Sequence, residues 1–357
     1  MGSNRILVWG LSNNRAGTEA VISNYARALS ELSFDFLCYD YPLNYEYLLG
    51  NNRNRFFTLP IKIKNPIGYS REIRRFMDGH SHEYSTLWFN INDVSNIDLL
   101  RMAGKAQIPR RIVHMHNGGM PDSLITQVFS KINWGSCLRL ATDRWACSKA
   151  AGDFLFKSRG YTVVPNMVDP EKVCFASAKR HRVRKALNID GSFVIGSVGR
   201  LEEQKNYGFL VDILKEIVDS GKDAVLLLVG EGSQREAIEA QAKEAGVGDR
   251  LILVGAQEDV QAYYSAFDVA AYPSLYEGLS LAIVEAQFNG LPCVLSDTIS
   301  CETVVSKAVK LVSLSAPAEW AMALQESKRW NQQLIDSKAE GFDIRGIRKR
   351  AEALFLA

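Results

Sequence analysis

What the 357-residue chain lacks narrows its nature first. No apolar run approaches the eighteen residues that a membrane-spanning helix needs. The opening Met-Gly-Ser-Asn-Arg leads straight into the apolar stretch Ile6 to Trp9 instead of a signal peptide. A cytoplasmic protein is therefore expected. The six cysteines include no Cys-x-x-Cys pair, which argues against a zinc site or a disulfide framework and for reduced thiols in or near strands. Gly10 and Gly17 lack the Gly-x-Gly-x-x-Gly spacing of a dinucleotide fingerprint. No Asp-x-Asp occurs anywhere, so the carboxylate pair that often brings a divalent cation to a substrate is missing. Nor is there an internal repeat, a low-complexity segment or an aromatic-interleaved basic stripe of the kind that binds nucleic acid.

What is present reads as two α/β domains. The chain is too long for one ordinary core, and apolar runs alternate with segments of helical period, which predicts parallel βα units. Strands are expected at Ile6 to Trp9, Phe34 to Tyr39, Phe56 to Leu59, Thr86 to Phe89 and Arg111 to Met115. A second series follows at Phe193 to Val198, Ala224 to Val229, Leu251 to Val254, Val269 to Tyr272 and Cys293 to Leu295. Helices are expected at Thr18 to Leu32, from Ser148, at Ser233 to Ala245, at Val260 to Ala266 and at Ile344 to Leu356. Asp40 to Asn54, rich in Tyr and Asn, reads as a loop, and Lys179 to Lys185 as a solvated basic helix. The first half of the chain is the basic half. Its Lys62, Lys64, Arg71, Arg74 and Arg75 suit either an anionic lipid or diphosphate-bearing surface or a merely solvated face.

The chemistry concentrates between Ser274 and Asp297. Two buried parallel strands flank a loop and a helix, which Ser280 can cap and which Gly290 stops in the left-handed region. The free amides of Gly278, Leu279, Ser280 and Leu281 then face the mouth of the sheet, where a helix N-terminus attracts phosphate. Glu277 lies just ahead of the helix and Glu285 inside it. Carboxylates flanking an anion site are suited to accept hydrogen bonds from sugar hydroxyls on either side, and eight helical residues span roughly 12 Å. The strand Phe193 to Val198 runs into Gly199-Arg200, with Lys205-Asn206 five residues later, an arrangement that aims two cations at one diphosphate.

Glu277 to Glu285, with Gly278 and Ala286, resembles the E-x7-E motif of retaining glycosyltransferases of family four. That resemblance implies the GT-B fold, two Rossmann-like parallel-sheet domains facing across a cleft. It also implies an N-terminal acceptor-side domain (1–169, with 342–357 packing back on it) and a C-terminal nucleotide-sugar domain (170–341). By it, Glu277 contacts the donor sugar, Glu285 holds the ribose, and Arg200 and Lys205 meet the diphosphate. Ala16-Gly17-Thr18-Glu19 resembles the family's Gly-Gly-x-Glu loop with Ala in the first glycine position, so Gly17 is placed at the donor diphosphate or the acceptor. His114-Met-His116-Asn ends a strand as in a subgroup acting in exopolysaccharide and capsule synthesis, which puts His116 beside the reacting carbon. A packed histidine is the alternative, and His-x-His has no third ligand nearby for a metal. The resemblance implies a UDP-sugar donor, with GDP open; the missing Asp-x-Asp, with Arg200, Lys205 and a helix N-terminus available for the leaving charge, predicts catalysis without metal or cofactor. The resemblance further implies a saccharide or lipid-linked acceptor and retention at the sugar carbon; peripheral contact with the inner face of a membrane is expected from the basic first half of the chain. The rival readings are a nucleotide-sugar epimerase of the same architecture and a catalytically silent nucleotide-sugar binder.

Overall fold

The computed structural model describes residues 5–12, 17–39, 41, 43–49, 53–121, 123–277, 279–329 and 337–356. The chain forms two compact units, Met1–Met167 with Ile344–Ala357, and Val168–Asp343. Among the described residues no helix is long and apolar enough to cross a membrane.

The first unit alternates strand and helix as the periodicity dictates: β1 (Arg5–Trp9), α1 (Gly17–Ala28), β2 (Ser33–Cys38), β3 (Arg55–Thr58), α2 (Pro66–His80), β4 (Tyr84–Ile91), α3 (Asp98–Lys105), β5 (Arg110–Met115), α4 (Leu124–Leu140), β6 (Asp143–Ala146), α5 (Lys149–Phe156) and β7 (Thr162–Val163). All pairings are parallel, in the order β3-β2-β1-β4-β5-β6-β7. Order reverses between β1 and β4, whose register sets Val8 beside Trp88. Right-handed crossovers place α1 on one face of the sheet and α2, α3 and α4 on the other, and α3 packs between α2 and α4.

In the second unit come α6 (Pro170–Val173), α7 (Ser177–Ala186), β8 (Phe193–Val198), α8 (Tyr207–Asp219), β9 (Ala224–Val229), α9 (Arg235–Glu244), β10 (Leu251–Leu253), α10 (Val260–Ala266), β11 (Val269–Tyr272), α11 (Leu281–Phe288), β12 (Cys293–Ser296), β13 (Val309–Val312) and α12 (Pro317–Glu326). Its parallel sheet runs β10-β9-β8-β11-β12-β13, reversing between β8 and β11. Apolar side chains fill both faces, one against α8, α9 and α12 and one against α10 and α11, as near-continuous apolar strands require. The final helix, α13 (Ile344–Leu356), belongs to the first unit. Its Phe355 ring stands edge-on to Trp88 and Trp145 at 5.1 and 5.0 Å, and Arg110 Nη1 donates to the Phe355 carbonyl at 2.9 Å.

Two expectations are corrected. Asp40 to Asn54 is not a plain exposed loop, because Leu43–Leu49 winds into 3₁₀ turns that bury Tyr45 and Leu48. The buried Asn54 closes the segment by donating to the Leu48 carbonyl and accepting from the Phe34 amide. The basic helix α7 is not simply solvated. Residues one turn apart share a helix face, so Arg180 and Arg184 both reach the Asp268 carboxylate, at 2.5 and 2.6 Å, and Arg184 is buried.

Candidate functional site

In open α/β sheets the crevice outside the carboxyl ends of the strands, where strand order reverses, is the place that backbone geometry leaves free for a ligand. In the second unit that point lies past β8 and β11. From β8 the chain passes Gly199 and Arg200 into a 3₁₀ turn, Glu203–Lys205, and left-handed Asn206 (φ 54°) starts α8. The turn is held from behind by the loop after β9. Gly230 has φ +147°, and a Cβ there would fall 1.9 Å from the Gly199 carbonyl oxygen. Leu201 N–H donates to Glu231 O, and Gln234 N–H to Leu201 O.

This turn in turn grips the segment that follows β11. The Leu275 amide donates to the Gln204 carbonyl, Gln204 Nε2 to the Tyr276 carbonyl (2.7 Å), and Asn206 Nδ2 to the Pro273 carbonyl (3.2 Å). On its other side Thr298 Oγ1 donates to the Ser274 carbonyl, and Glu277 bridges to Ile299 in the loop after β12. Glu277 is thus fixed by backbone on both flanks. Its Oε1 accepts from Lys205 Nζ and from Ser274 Oγ (2.8 Å), with the lysine and glutamate side chains only 12% and 8% exposed. The Lys205 stem passes over Gly199, where a Cβ would approach Lys205 Cε to 3.4 Å and Tyr207 Oη to 2.8 Å. Lys205 and Glu277, read from the sequence as addressing different parts of a ligand, are therefore joined to each other.

Arg200 is exposed, and its guanidinium makes no hydrogen bond or ion pair among the described residues. Leu279, Ser280 and Leu281 lead into α11 as expected, and Asn289 with left-handed Gly290 ends it. The expected Ser280 cap does not form. Ser280 occupies the cap position with extended backbone, but its hydroxyl accepts no bond from the helix amides, so the first turn has no side-chain cap. Glu285, one turn in, is half-buried. Burial pushes its carboxyl up to about 7, against a smaller opposing pull from the Tyr264 hydroxyl, which donates to Oε2 at 3.0 Å. Tyr264 and Tyr272 also both donate to the Ala282 carbonyl at 3.1 Å, tying α11 to α10 and β11. Gly278 and Ala16 lie outside the described residues.

The remaining two candidates belong to the first unit, at its own reversal point. His116 follows β5, and its Nε2 lies 2.9 Å from Asn90 Oδ1. Asn90 Nδ2 donates to the Trp9 carbonyl, so Oδ1 must accept and His116 Nε2 carries the proton. That assignment leaves Nδ1 a bare acceptor, buried and without a partner among the described residues. Burial drives the His116 pKa down to about 3, and His114, its ring tilted and 4.2 Å away, is likewise pushed well below its usual range. Gly17 opens α1 with ordinary φ and open space where a Cβ would stand, so no local feature there demands glycine. Among the described residues no group of three or more His, Cys, Asp or Glu side chains is arranged to hold a metal ion.

Sequence reasoning missed Ser274, Gln204, Thr298, Tyr264 and the Val229-Gly-Glu-Gly232 turn. Only the last carried a legible signal, two glycines flanking one residue at a strand end.

Residues 192–327 match a family model described as Glycosyl transferases group 1. A putative glycosyltransferase, EpsF, of Bacillus subtilis (strain 168) is 30% identical over 341 residues, covering 86% of this chain and 83% of that protein. The Escherichia coli UDP-Gal:alpha-D-GlcNAc-diphosphoundecaprenol alpha-1,3-galactosyltransferase is 37% identical over 140 residues, 38% of this chain and 36% of that one. Among solved structures, Anabaena Alr3699/HepE in complex with UDP superposes with a TM-score of 0.80 at 19% identity, covering 99% of this chain and 100% of that one.

Proposed function

The chain belongs to the group 1 glycosyltransferases, of the family-four GT-B type, and from that premise we propose that it moves a hexose from UDP to a hydroxyl of a saccharide or lipid-linked saccharide in bacterial polysaccharide synthesis. The observation that carries the reading is the linked set after β8 and β11. Glu277 is clamped in its loop, ion-paired with Lys205, and adjoins a helix terminus with no side-chain cap, while exposed Arg200 lies five residues before Lys205. UDP as carrier is supported by the complex formed by the Anabaena protein, and a lipid-linked acceptor by the name of the E. coli relative; peripheral contact with a bilayer is supported by the basic first half of the chain.

In the proposed reaction the bond between the sugar carbon and the β-phosphate oxygen breaks, and negative charge grows on the departing UDP. Arg200, Lys205 and the amides assigned from the sequence, those of Gly278, Leu279, Ser280 and Leu281, meet that charge as hydrogen-bond donors. Glu277 Oε1 is taken by Lys205 and Ser274, so Oε2 is the atom left to accept from a hydroxyl of the transferred sugar. Glu285 accepts from the ribose, and Gly17 adjoins the diphosphate or acceptor. His116 offers the lone pair on Nδ1 to a donor-sugar hydroxyl, and stays neutral in doing so. The acceptor oxygen forms its bond on the face the phosphate leaves, and its proton passes to the departing phosphate oxygen, which conserves configuration without a protein nucleophile. Cationic side chains and amides take the part that an Asp-x-Asp metal site plays elsewhere.

The test is free-nucleotide release from a panel of nucleotide sugars, with and without acceptor and chelator, followed by the anomeric configuration of the product. UDP release that needs acceptor, persists with chelator, gives the retained anomer and drops at least a hundredfold in Glu277→Ala is the expected result. Saturable binding without turnover, an inverted product or full activity in Glu277→Ala would refute it.

A further inference from the structure

Helix α11 carries Glu285 on a backbone that is tied at both ends. Near its end the buried Gln287 donates through Nε2 to the Thr303 carbonyl (2.8 Å) and the buried Asn289 through Nδ2 to the Val173 carbonyl (2.6 Å). At its start the Ala282 carbonyl meets the hydroxyls of Tyr264 in α10 and Tyr272 in β11. A glutamate side chain on such a backbone still has three torsions, and freezing them when a ligand arrives costs affinity. Here they are held beforehand. Tyr264, fully buried, sets its hydroxyl 3.0 Å from Glu285 Oε2 across 21 positions of sequence. The other oxygen, Oε1, makes no hydrogen bond or ion pair among the described residues, and it is not enclosed, since the side chain is only half-buried.

Two tyrosines meet at Ala282 with one hydroxyl proton each, both 3.1 Å from its carbonyl oxygen. Tyr272 can supply that carbonyl, which leaves the Tyr264 proton for the carboxylate. Burial holds the Tyr264 pKa well above its ordinary range, so the hydroxyl stays protonated. When Glu285 itself carries a proton, the same hydroxyl can accept it from Oε2 and turn its own proton to Ala282. In either form the carboxyl is engaged on its Oε2 side, and Oε1 is left as a bare acceptor.

We propose that Tyr264 is a positioning residue for donor recognition: its hydroxyl engages Oε2 of Glu285 and so presents Oε1 to a ribose hydroxyl of the nucleotide. The proposal rests on the reading above, in which Glu285 accepts from the ribose, and adds the residue that orients it. Tyr264 acts only through Glu285. Because the ribose is separated from the reacting carbon by the diphosphate, the effect belongs to binding of the nucleotide and not to bond breaking.

The experiment titrates UDP, 2′-deoxy-UDP and 3′-deoxy-UDP calorimetrically into the full chain, Tyr264→Phe, Glu285→Ala and the double variant. The wild type should bind UDP at least tenfold more tightly than one of the deoxy analogues, and Glu285→Ala should erase that preference. Tyr264→Phe should weaken UDP about tenfold, the scale of one hydrogen bond to a charged group, and leave that analogue nearly unaffected. Added to Glu285→Ala, the same change should make little further difference to UDP. With a UDP-sugar donor, Tyr264→Phe should raise KM to a similar extent while kcat stays nearly constant. A preference that Glu285→Ala erases and Tyr264→Phe leaves intact overturns the proposal alone, as does an equal loss of UDP affinity with and without Glu285, the mark of a general packing effect. A wild type that does not distinguish the three nucleotides overturns the ribose assignment of Glu285 and the proposal with it. Melting curves show which variants are folded at the assay temperature. Replacing Tyr264 by p-aminophenylalanine, which keeps a donor on the same ring, should keep the preference, and its loss there overturns the proposal without recourse to Tyr264→Phe.

Discussion

Replacing Lys205 by methionine removes one member of a pair whose side chains are 12% and 8% exposed and strands the Glu277 carboxylate on a single neutral donor, Ser274 Oγ at 2.8 Å. Breaking a buried pair from one side costs about 3–5 kcal/mol. The retained serine bond and the residual access to water place this case at the low end, about 3 kcal/mol. For a domain of this size that is a fall of roughly 6–12 °C in the melting temperature of the second unit. The double variant Lys205→Met/Glu277→Gln has no stranded charge and should regain most of the loss, giving a coupling energy of about 2 kcal/mol in a four-point cycle. Calorimetry and urea titration of the four proteins measure both quantities. If Lys205→Met melts within about 2 °C of wild type, or if the two single effects add, the pair does not hold the loop ahead of α11 and the reasoning fails. Steady-state kinetics at a temperature where every variant is folded then isolates the proposed second duty of Lys205, a loss of about 10²-fold in kcat/KM beyond the stability effect.

Arg200→Ala should cost about 3 kcal/mol of transition-state stabilisation, a fall of 10²–10³ in kcat/KM, with the melting temperature nearly unchanged because the guanidinium is exposed, so that its attraction to the Glu202 carboxylate is weak. Glu285 binds its proton more tightly folded, at about 7, than unfolded, at 4.5, so its contribution is complete below about pH 4.5 and is lost as pH rises through 7, by about 3 kcal/mol in all. Glu285→Gln should therefore match wild type in urea stability near pH 4.5 and exceed it at pH 8; equal gaps at both pH values would refute this. His116 shows the opposite sign: with a folded pKa near 3 and an ordinary value of 6.5, its contribution is present above 6.5 and lost as pH falls toward 3. His116→Gln should flatten that acid limb, and should do so in the first unit's transition.

The βα alternation was legible because parallel strands buried on both faces are near-continuous apolar runs, and β8, β9 and β11 have the bounds their runs suggest. The short edge strands β7 and β13 were not, since two or four residues of mixed polarity carry no period. α4 was illegible for another reason: its apolar residues face outward, so a period that would normally report a buried face reports a surface. In the candidate site the residues could be named, but their joining could not. Lys205 and Glu277 are 72 positions apart, and the pairing of β8 with β11, with the bonds from Gln204 and the Asn206 side chain to the loop after β11, brings them together. Ser280 shows the converse error, a good cap residue whose hydroxyl does not cap.

That joining bears on how a donor would be sensed. With Lys205 engaged by Glu277, an arriving diphosphate would first meet exposed Arg200 and a helix terminus. Sharing Lys205 between phosphate and Glu277 costs little, because an ammonium has three protons to donate, whereas removing it entirely would strand the carboxylate. The arrangement therefore favours a ligand that offers a hydroxyl to Glu277 Oε2 at the same time as an anion to Lys205, which a sugar diphosphate does and free phosphate does not. Binding of UDP, of the free sugar and of the intact donor should accordingly be more than additive in the wild type and close to additive in Lys205→Met/Glu277→Gln. Calorimetric titration of the two proteins with all three ligands decides it, and equal coupling in both would show that the ion pair plays no part in recognising the donor as a whole.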